Sequence, residues 1–256
     1  MFETFFGGFE SYQIWGLILC AFLIGVNKTG IPGIGTLPVV ILTLLFPAKF
    51  STGLQLIMLC TADLLAVAYY HRGANWKLLV RLLPCALAGI LIGDLTLHTM
   101  DDHVLSLAIG VILIAMSAIH FLRVYYFKSE NVPSHFMFTA TAGVLAGFTT
   151  QIANAAGPVM AIYLLSMRLE KKEYMGTCAM YFMILNWIKL PVFMWEGRIE
   201  MKSFLLDLPM LPVLLLGAAA GIWFFKKIPQ KYFDSIIHVL VVFSAIWLIT
   251  KTLFWK

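Results

Sequence analysis

Charged residues are scarce in this chain: Asp, Glu, Lys and Arg make up 12% of its 256 residues, against 61% hydrophobic. That balance excludes the solvated surface of a soluble protein and leaves a polytopic membrane protein as the class. Long polar connections are missing too. The longest, from Lys128 to Ser134, is only a loop, so one domain over residues 1–256 is expected. The four cysteines, Cys20, Cys60, Cys85 and Cys178, stand singly in apolar segments with no CxxC and no Cys/His cluster. Neither a metal nor a cofactor is therefore expected, and the cysteines read as small apolar packers. HExxH and GxSxG are lacking as well, which argues against an enzyme. The first thirteen residues hold Glu3 and Glu10 but no basic residue, so they lack the positive start of a cleaved leader, and the first apolar segment is expected to be retained. The net charge of +5 comes from basic residues at the ends of apolar runs. It reads as orientation in a lipid membrane rather than attraction to nucleic acid.

Apolar length is what the chain has. Runs lie near residues 12–47, 52–71, 77–99, 104–127, 136–167, 174–196, 203–226 and 232–254. Six have ordinary span length, but the first and fifth exceed thirty residues, where about twenty cross a hydrocarbon core. Both are interrupted, the first by NKTGIPGIG and the fifth by GFTTQIANAAGP. Such a segment is either a broken crossing helix or a re-entrant hairpin. If all eight cross, the basic residues outside the deep positions split nine to seven between the two sides. If the two long segments return, Arg72, Lys77, Arg81, Arg123, Lys128, Arg168, Lys171, Lys172, Lys226, Lys227 and Lys231 share one side, with Lys49, Arg198, Lys202, Lys251 and Lys256 on the other. Because positive charge marks the cytoplasmic side, the hairpin geometry is preferred, with both termini periplasmic.

Each half then holds one hairpin and three crossings, an odd number, so the halves must face opposite ways. Glycine landmarks support a repeat: Gly25 and Gly35 match Gly147 and Gly157, Gly73 matches Gly197, and Gly89 and Gly93 match Gly217 and Gly221, at offsets of 122 to 128. The expected fold is an all-α polytopic membrane protein of two inverted repeats, near 12–127 and 135–256, each a broken re-entrant hairpin plus three transmembrane helices. Gly89-x-x-x-Gly93 and Gly217-x-x-x-Gly221 read as helix-packing stripes.

Non-helical backbone at membrane depth must be buried in protein or line a wet cavity. A half-helix starting after each break turns free N–H groups and a positive dipole end toward that cavity, which favours an anion. Candidate substrate-binding residues are Asn27, Lys28, Thr29, Gly33 and Gly35 at the first break, and Thr150, Gln151, Asn154 and Gly157 at the second. Asn186 and Lys189 join them from the sixth segment, three apart on one helix face. Asp63 is the one acid well inside a span, a coupling group or the charge partner of Lys28. A lysine at the middle of a span costs about 2.5–3.5 kcal/mol on insertion scales, so these charges need a reason. The plainer readings are a structural Lys28–Asp63 bridge, and polar side chains, Thr149 among them, that only satisfy freed backbone groups. His98, His103 and His135 fall at span ends, His120 and His238 in apolar runs, while Asp94 and Asp207 are expected to be interfacial or paired.

The layout resembles the sulfite exporter TauE/SafE family over residues 15–254. GFTTQIANAAGPVMAIYLL, from Gly147 to Leu165, is similar to the second signature of that family, and MILNWIKLP, from Met183 to Pro191, to the segment after it. The first signature departs, since NKTGIPGIGTLP replaces part of a glycine run. The resemblance implies a secondary transporter that exports sulfite or small organosulfonates such as sulfoacetate across a bacterial inner membrane by alternating access. An anion-selective channel and a membrane-embedded enzyme or assembly factor are the alternatives. The expected partners are a small anion and lipid, with a homodimer open to it.

Overall fold

The computed structural model describes residues 9–32, 34–97 and 136–229, and then 232–233, 235–237, 239–240 and 243. The spans expected at 104–127 and over most of 232–254 lie outside the described residues, as do Gly33, His98, His103, His120, His135 and His238. The described elements are all helical: α1 Ser11–Thr29, α2 Thr36–Leu45, α3 Ala48–Tyr70, α4 Trp76–Leu97, α5 Phe136–Ala153, α6 Gly157–Ser166, α7 Lys171–Trp195, α8 Met201–Asp207 and α9 Leu211–Lys227. Short 3-10 turns lie at His71–Gly73 and Leu208–Met210. Six stretches are long and apolar enough to cross a membrane, among them Ser11–Thr29 and Phe136–Ala153.

Local chemistry sets the breaks. Glu10 and Gln13 form a reciprocal capping box that starts α1, and Gly30 with Pro32 ends it. At the second break Asn154 takes the left-handed conformation, φ 51°, which stops α5, and Pro158 sits in the first turn of α6.

Both long segments fold back on themselves. Gln13 Nε2 donates to the Leu45 carbonyl at 2.9 Å, and the Cys20 thiol approaches the Pro38 carbonyl, so α2 runs antiparallel beside α1. In the second segment the hydroxyls of Thr139 and Tyr163 lie 3.2 Å apart, and Tyr163 stacks on Phe138. The two legs are unequal. The 19 residues of α1 extend about 28 Å, a near-complete crossing, while the 10 residues of α2 return only about 15 Å. The Tyr70 hydroxyl donates to the Thr29 carbonyl at 2.6 Å, which sets the first turn beside the last residue of α3 rather than beside its middle.

The helices form two compact units that do not coincide with the chain halves: residues 1–74 with 175–228, and residues 75–174 with 229–256. In the first unit α1 packs along α9, and both pack on α3. The cores of these contacts are aliphatic, with Leu17, Ile24, Leu54, Met58, Leu206 and Leu214 buried together. Lipid tails are as apolar as these side chains, so close van der Waals fit rather than escape from water holds such helices together. Glycine supplies that fit. A Cβ at Gly217 would overlap the Phe22 carbonyl, one at Gly25 the Leu214 carbonyl, and one at Gly221 the Thr29 hydroxyl. In the second unit, α4 and α5 meet by the same device. A Cβ at Gly89 would overlap the Val144 carbonyl, one at Gly147 the Ala86 carbonyl, and one at Gly93 would press on Gln151. Phe22 and Val144, Gly25 and Gly147, and Thr29 and Gln151 are each 122 positions apart. Gly89 and Gly217, Ala86 and Leu214, and Gly93 and Gly221 are each 128 apart.

A second correspondence lies within the first unit. A Cβ at Gly53, near the start of α3, would overlap the Arg198 carbonyl just past the end of α7; one at Gly176, near the start of α7, would meet the backbone of Gly73 and Ala74 just past α3. The two helices therefore cross antiparallel. In this unit Lys226 lies over the Tyr69 ring at one end, whereas Lys202 lies over Phe9 and Lys49 neighbours Gly197 at the other.

Substituting valine at Gly89 or Gly217 should destabilise the protein by about 1–3 kcal/mol through overpacking, seen as a lower Tm in detergent. Alanine at Gly157, where an added Cβ meets open space, should leave Tm within error.

Candidate anion site

On α7, Phe182, Asn186, Lys189 and Phe193 recur at helical spacing and share one face. Where α7 crosses α3, Asn186 meets Asp63: its Nδ2 donates to Asp63 Oδ2 at 2.7 Å. Lys28, one residue before the end of α1, turns back along α3 so that its Nζ lies 2.6 Å from Asp63 Oδ1. The same ammonium sits 4.1 Å from the centroid of the Phe182 ring, whose face carries the negative end of the quadrupole. Asp63 is fully buried, and the Lys28 side chain is 6% exposed.

Both oxygens of Asp63 are thus used, one by a charge and one by an amide. An ionised carboxylate can only accept hydrogen bonds, so it fixes the Asn186 amide with its nitrogen inward. The other end, Asn186 Oδ1, is buried with no hydrogen-bond partner among the described residues. One helical turn further along α7, Lys189 is fully buried, its Nζ 5.3 Å from the Phe193 ring. The Arg198 guanidinium packs 4.2 Å from that ring, and Cys60, Lys28, Arg198 and Asp63 act on Lys189 electrostatically. Lys28 and Asp63 cancel. Lys189, buried beside that pair, is the second basic side chain of the cluster.

The structure brings together Lys28, Asp63 and Asn186, with Lys189 beside them. The plain expectation of a Lys28–Asp63 bridge is met. Asn27 packs against Gly35 in the first turn, where a Cβ on the glycine would lie 2.9 Å from Asn27 Nδ2. Thr29 is committed to the backbone, its hydroxyl between the carbonyls of Gly25 and Ala218 at 3.0 and 2.7 Å.

Thr150, Gln151, Asn154 and Gly157 lie in the second unit around its turn. Thr150 and Gln151 are buried at the end of α5, and Gln151 Nε2 donates to Asp94 Oδ1 at 3.0 Å, so Asp94 is paired as expected. Gly157 opens α6 with nothing near its α-carbon on the side-chain face. Thr149 Oγ1 donates back to the Leu145 and Ala146 carbonyls, the backbone-satisfying role. The aromatic faces of Phe182 and Phe193 were not among the expected site residues; their spacing four before Asn186 and four after Lys189 is the signal that points to them.

A family model described as sulfite exporter TauE/SafE matches residues 17–248. The chain belongs to that family. Comparison with curated proteins and with solved structures gave no match. Membership in TauE/SafE, a family of membrane transporters, together with the six apolar helices makes this a multi-pass membrane protein. Both segments expected to resemble the family signatures, 147–165 and 183–191, fall inside the match.

Breaking the buried pair from one side should be costly. Asp63→Leu or Lys28→Met alone strands a buried charge and should destabilise by about 3–5 kcal/mol, whereas the double variant should recover most of that loss. Thermal unfolding of the four proteins of the cycle measures the coupling.

Proposed function

We propose that this TauE/SafE member is a secondary transporter that exports sulfite or a small organosulfonate across the bacterial inner membrane by alternating access. The observation that carries the reading is the buried cluster at the α3–α7 crossing, where two lysines, Lys28 and Lys189, gather with Asp63 and Asn186 inside an apolar bundle. In this reading Lys189 supplies the attraction, and Asn186, whose amide nitrogen is spent on Asp63, holds that acid in place. Lys28 is the counter-ion of Asp63. The N-terminus of α6, with Gly157 leaving room beside its free amides, is a second anion-favouring feature. Thr150, Gln151 and Asn154 shape that turn, and Asn27 and Gly35 the first. Thr29, whose hydroxyl is spent on helix packing, is left out.

Alternating access needs two similar halves that can rock, and the contacts support an inverted repeat. Asp63 and Asn186 are 123 positions apart and face each other across antiparallel helices, as do the neighbourhoods of Gly53 and Gly176. The α1–α9 and α4–α5 pairs repeat one another contact for contact. The eleven-to-five split of basic residues over the whole sequence favours periplasmic termini, which would put Arg72, Lys226 and Lys227 on the cytoplasmic side and Lys49, Arg198 and Lys202 opposite.

Two measurements test these readings. In proteoliposomes, wild type should show saturable sulfite counterflow without ionic conductance; Lys189→Met, which keeps the side-chain volume, should fold normally yet lose both counterflow and the sulfite-induced rise in Tm. Conductance instead of counterflow would turn the assignment to a channel, and wild-type flux in the variant would remove Lys189 from the site. For topology, a cysteine in place of Lys202 should react with an impermeant maleimide in intact cells, and one in place of Lys227 only after permeabilisation. The reverse pattern rejects the orientation.

A further inference from the structure

Among the described residues of the first unit, acids that are wholly or partly buried are paired, with one exception. Asp63 is held by Lys28 and Asn186, and Glu196 by Arg198. Asp207 is 4% exposed, and neither of its carboxylate oxygens has a hydrogen-bond partner among the described residues. The sequence placed this residue at an interface or in a pair between Lys202 and Pro209; the structure buries it and shows no partner for it among the described residues. It is the last residue of α8, seven positions into an apolar span that begins at Met201, so it lies about 10 Å along the helix axis from that end.

The surroundings are aliphatic. Helix α3 packs on α8, and α1 and α9 pack on the turn that follows. Leu206 and Met210, on either side of Asp207, are buried with Leu54, Met58 and Ala62 of α3, Ala21 of α1 and Leu214 of α9. The charged groups on these four helices are engaged elsewhere or form no ion pair with Asp207. Lys28 and Asp63 hold each other, Lys202 lies over Phe9, Lys226 over Tyr69 and Lys227 over Trp223, and Lys49 lies near Gly197. The remaining titratable groups of those helices, Cys20, Cys60, Tyr12, Tyr69 and Tyr70, bring no positive charge. An ionised carboxylate alone in such a place is strongly disfavoured. A metal ion would need several further oxygen ligands, whereas a proton needs none.

Position suggests why the acid is there. The span is interrupted at Leu208–Met210, and Pro209 and Pro212 remove two backbone donors just beyond Asp207, so this is where the span can bend. We infer that Asp207 is a proton site of the transport cycle: bending at the interrupted span opens its carboxyl to water on one side of the membrane and then the other. The proton adds to a carboxylate oxygen from water on one side and leaves the same oxygen to water on the other, which ties anion movement to a pH gradient. This inference rests on the transporter reading above.

The test uses the full chain in proteoliposomes and compares wild type, Asp207→Asn and Asp207→Glu. Infrared difference spectra should show the carbonyl stretch of a protonated carboxyl in wild type and lose it in Asp207→Asn; an unchanged band overturns the proposal whether or not the protein transports anything. Asp207→Asn should retain sulfite counterflow at the wild-type rate while its net flux loses the several-fold response to an imposed pH gradient, and Asp207→Glu should restore that response. A wild-type response in Asp207→Asn overturns the proposal, as does a response that follows a sodium gradient instead. Absence of counterflow from wild type itself would refute the transporter reading, and the infrared band would still decide the protonation of Asp207.

Discussion

A carboxylate without water must be held on both oxygens, and Asp63 is held on both. That constraint organises the first unit, because meeting it requires three separate helices to converge at one level: α1 must deliver Lys28, α7 must deliver Asn186, and α3 must present the acid between them. Lys28 arrives from a turn that lies beside the end of α3, so its long side chain must run back toward the middle of that helix. The glycines serve this geometry. Gly25 and Gly217 bring α1 against α9, and Gly53 and Gly176 fix the level at which α3 and α7 cross, so the polar contacts form without leaving gaps in the apolar packing around them.

The same arrangement underlies the proposal of an anionic cargo. Lys28 and Asp63 neutralise each other, with the Phe182 ring beside the ammonium, and Lys189 lies beside the Phe193 ring, against which the Arg198 guanidinium also packs. On that proposal the acid, already paired with Lys28, leaves Lys189 to face the anion.

Much of this was legible in the sequence, and the reason is physical. Hydropathy fixes spans because backbone in lipid must be helical, and Gly/Pro clusters mark breaks because nothing else stops a helix there. Lys28, Asp63, Asn186 and Lys189 stood out because charged and amide groups are costly in apolar runs. Less legible was what each polar side chain turned toward. Thr29 and Asn154 look alike as polar residues beside a break, yet Thr29 bonds to carbonyls of its own and a neighbouring helix, while Asn154 is there for its backbone conformation. The burial of Asp207 was less legible too, since which way a side chain points at a helix interruption depends on tertiary packing that no local pattern records. The compact units escaped the sequence as well, because each draws on both halves of the chain.

On the repeat reading, the contact between Asp63 and Asn186 joins a position to its own counterpart, and such a contact cannot be symmetric. Two aspartates there would set like charges against each other within hydrogen-bond range, and two asparagines would leave Lys28 without a counter-ion. A chain built from two copies of either half would therefore fail at its centre. On that reading the halves are obligate complements, one keeping the acid and the other the amide.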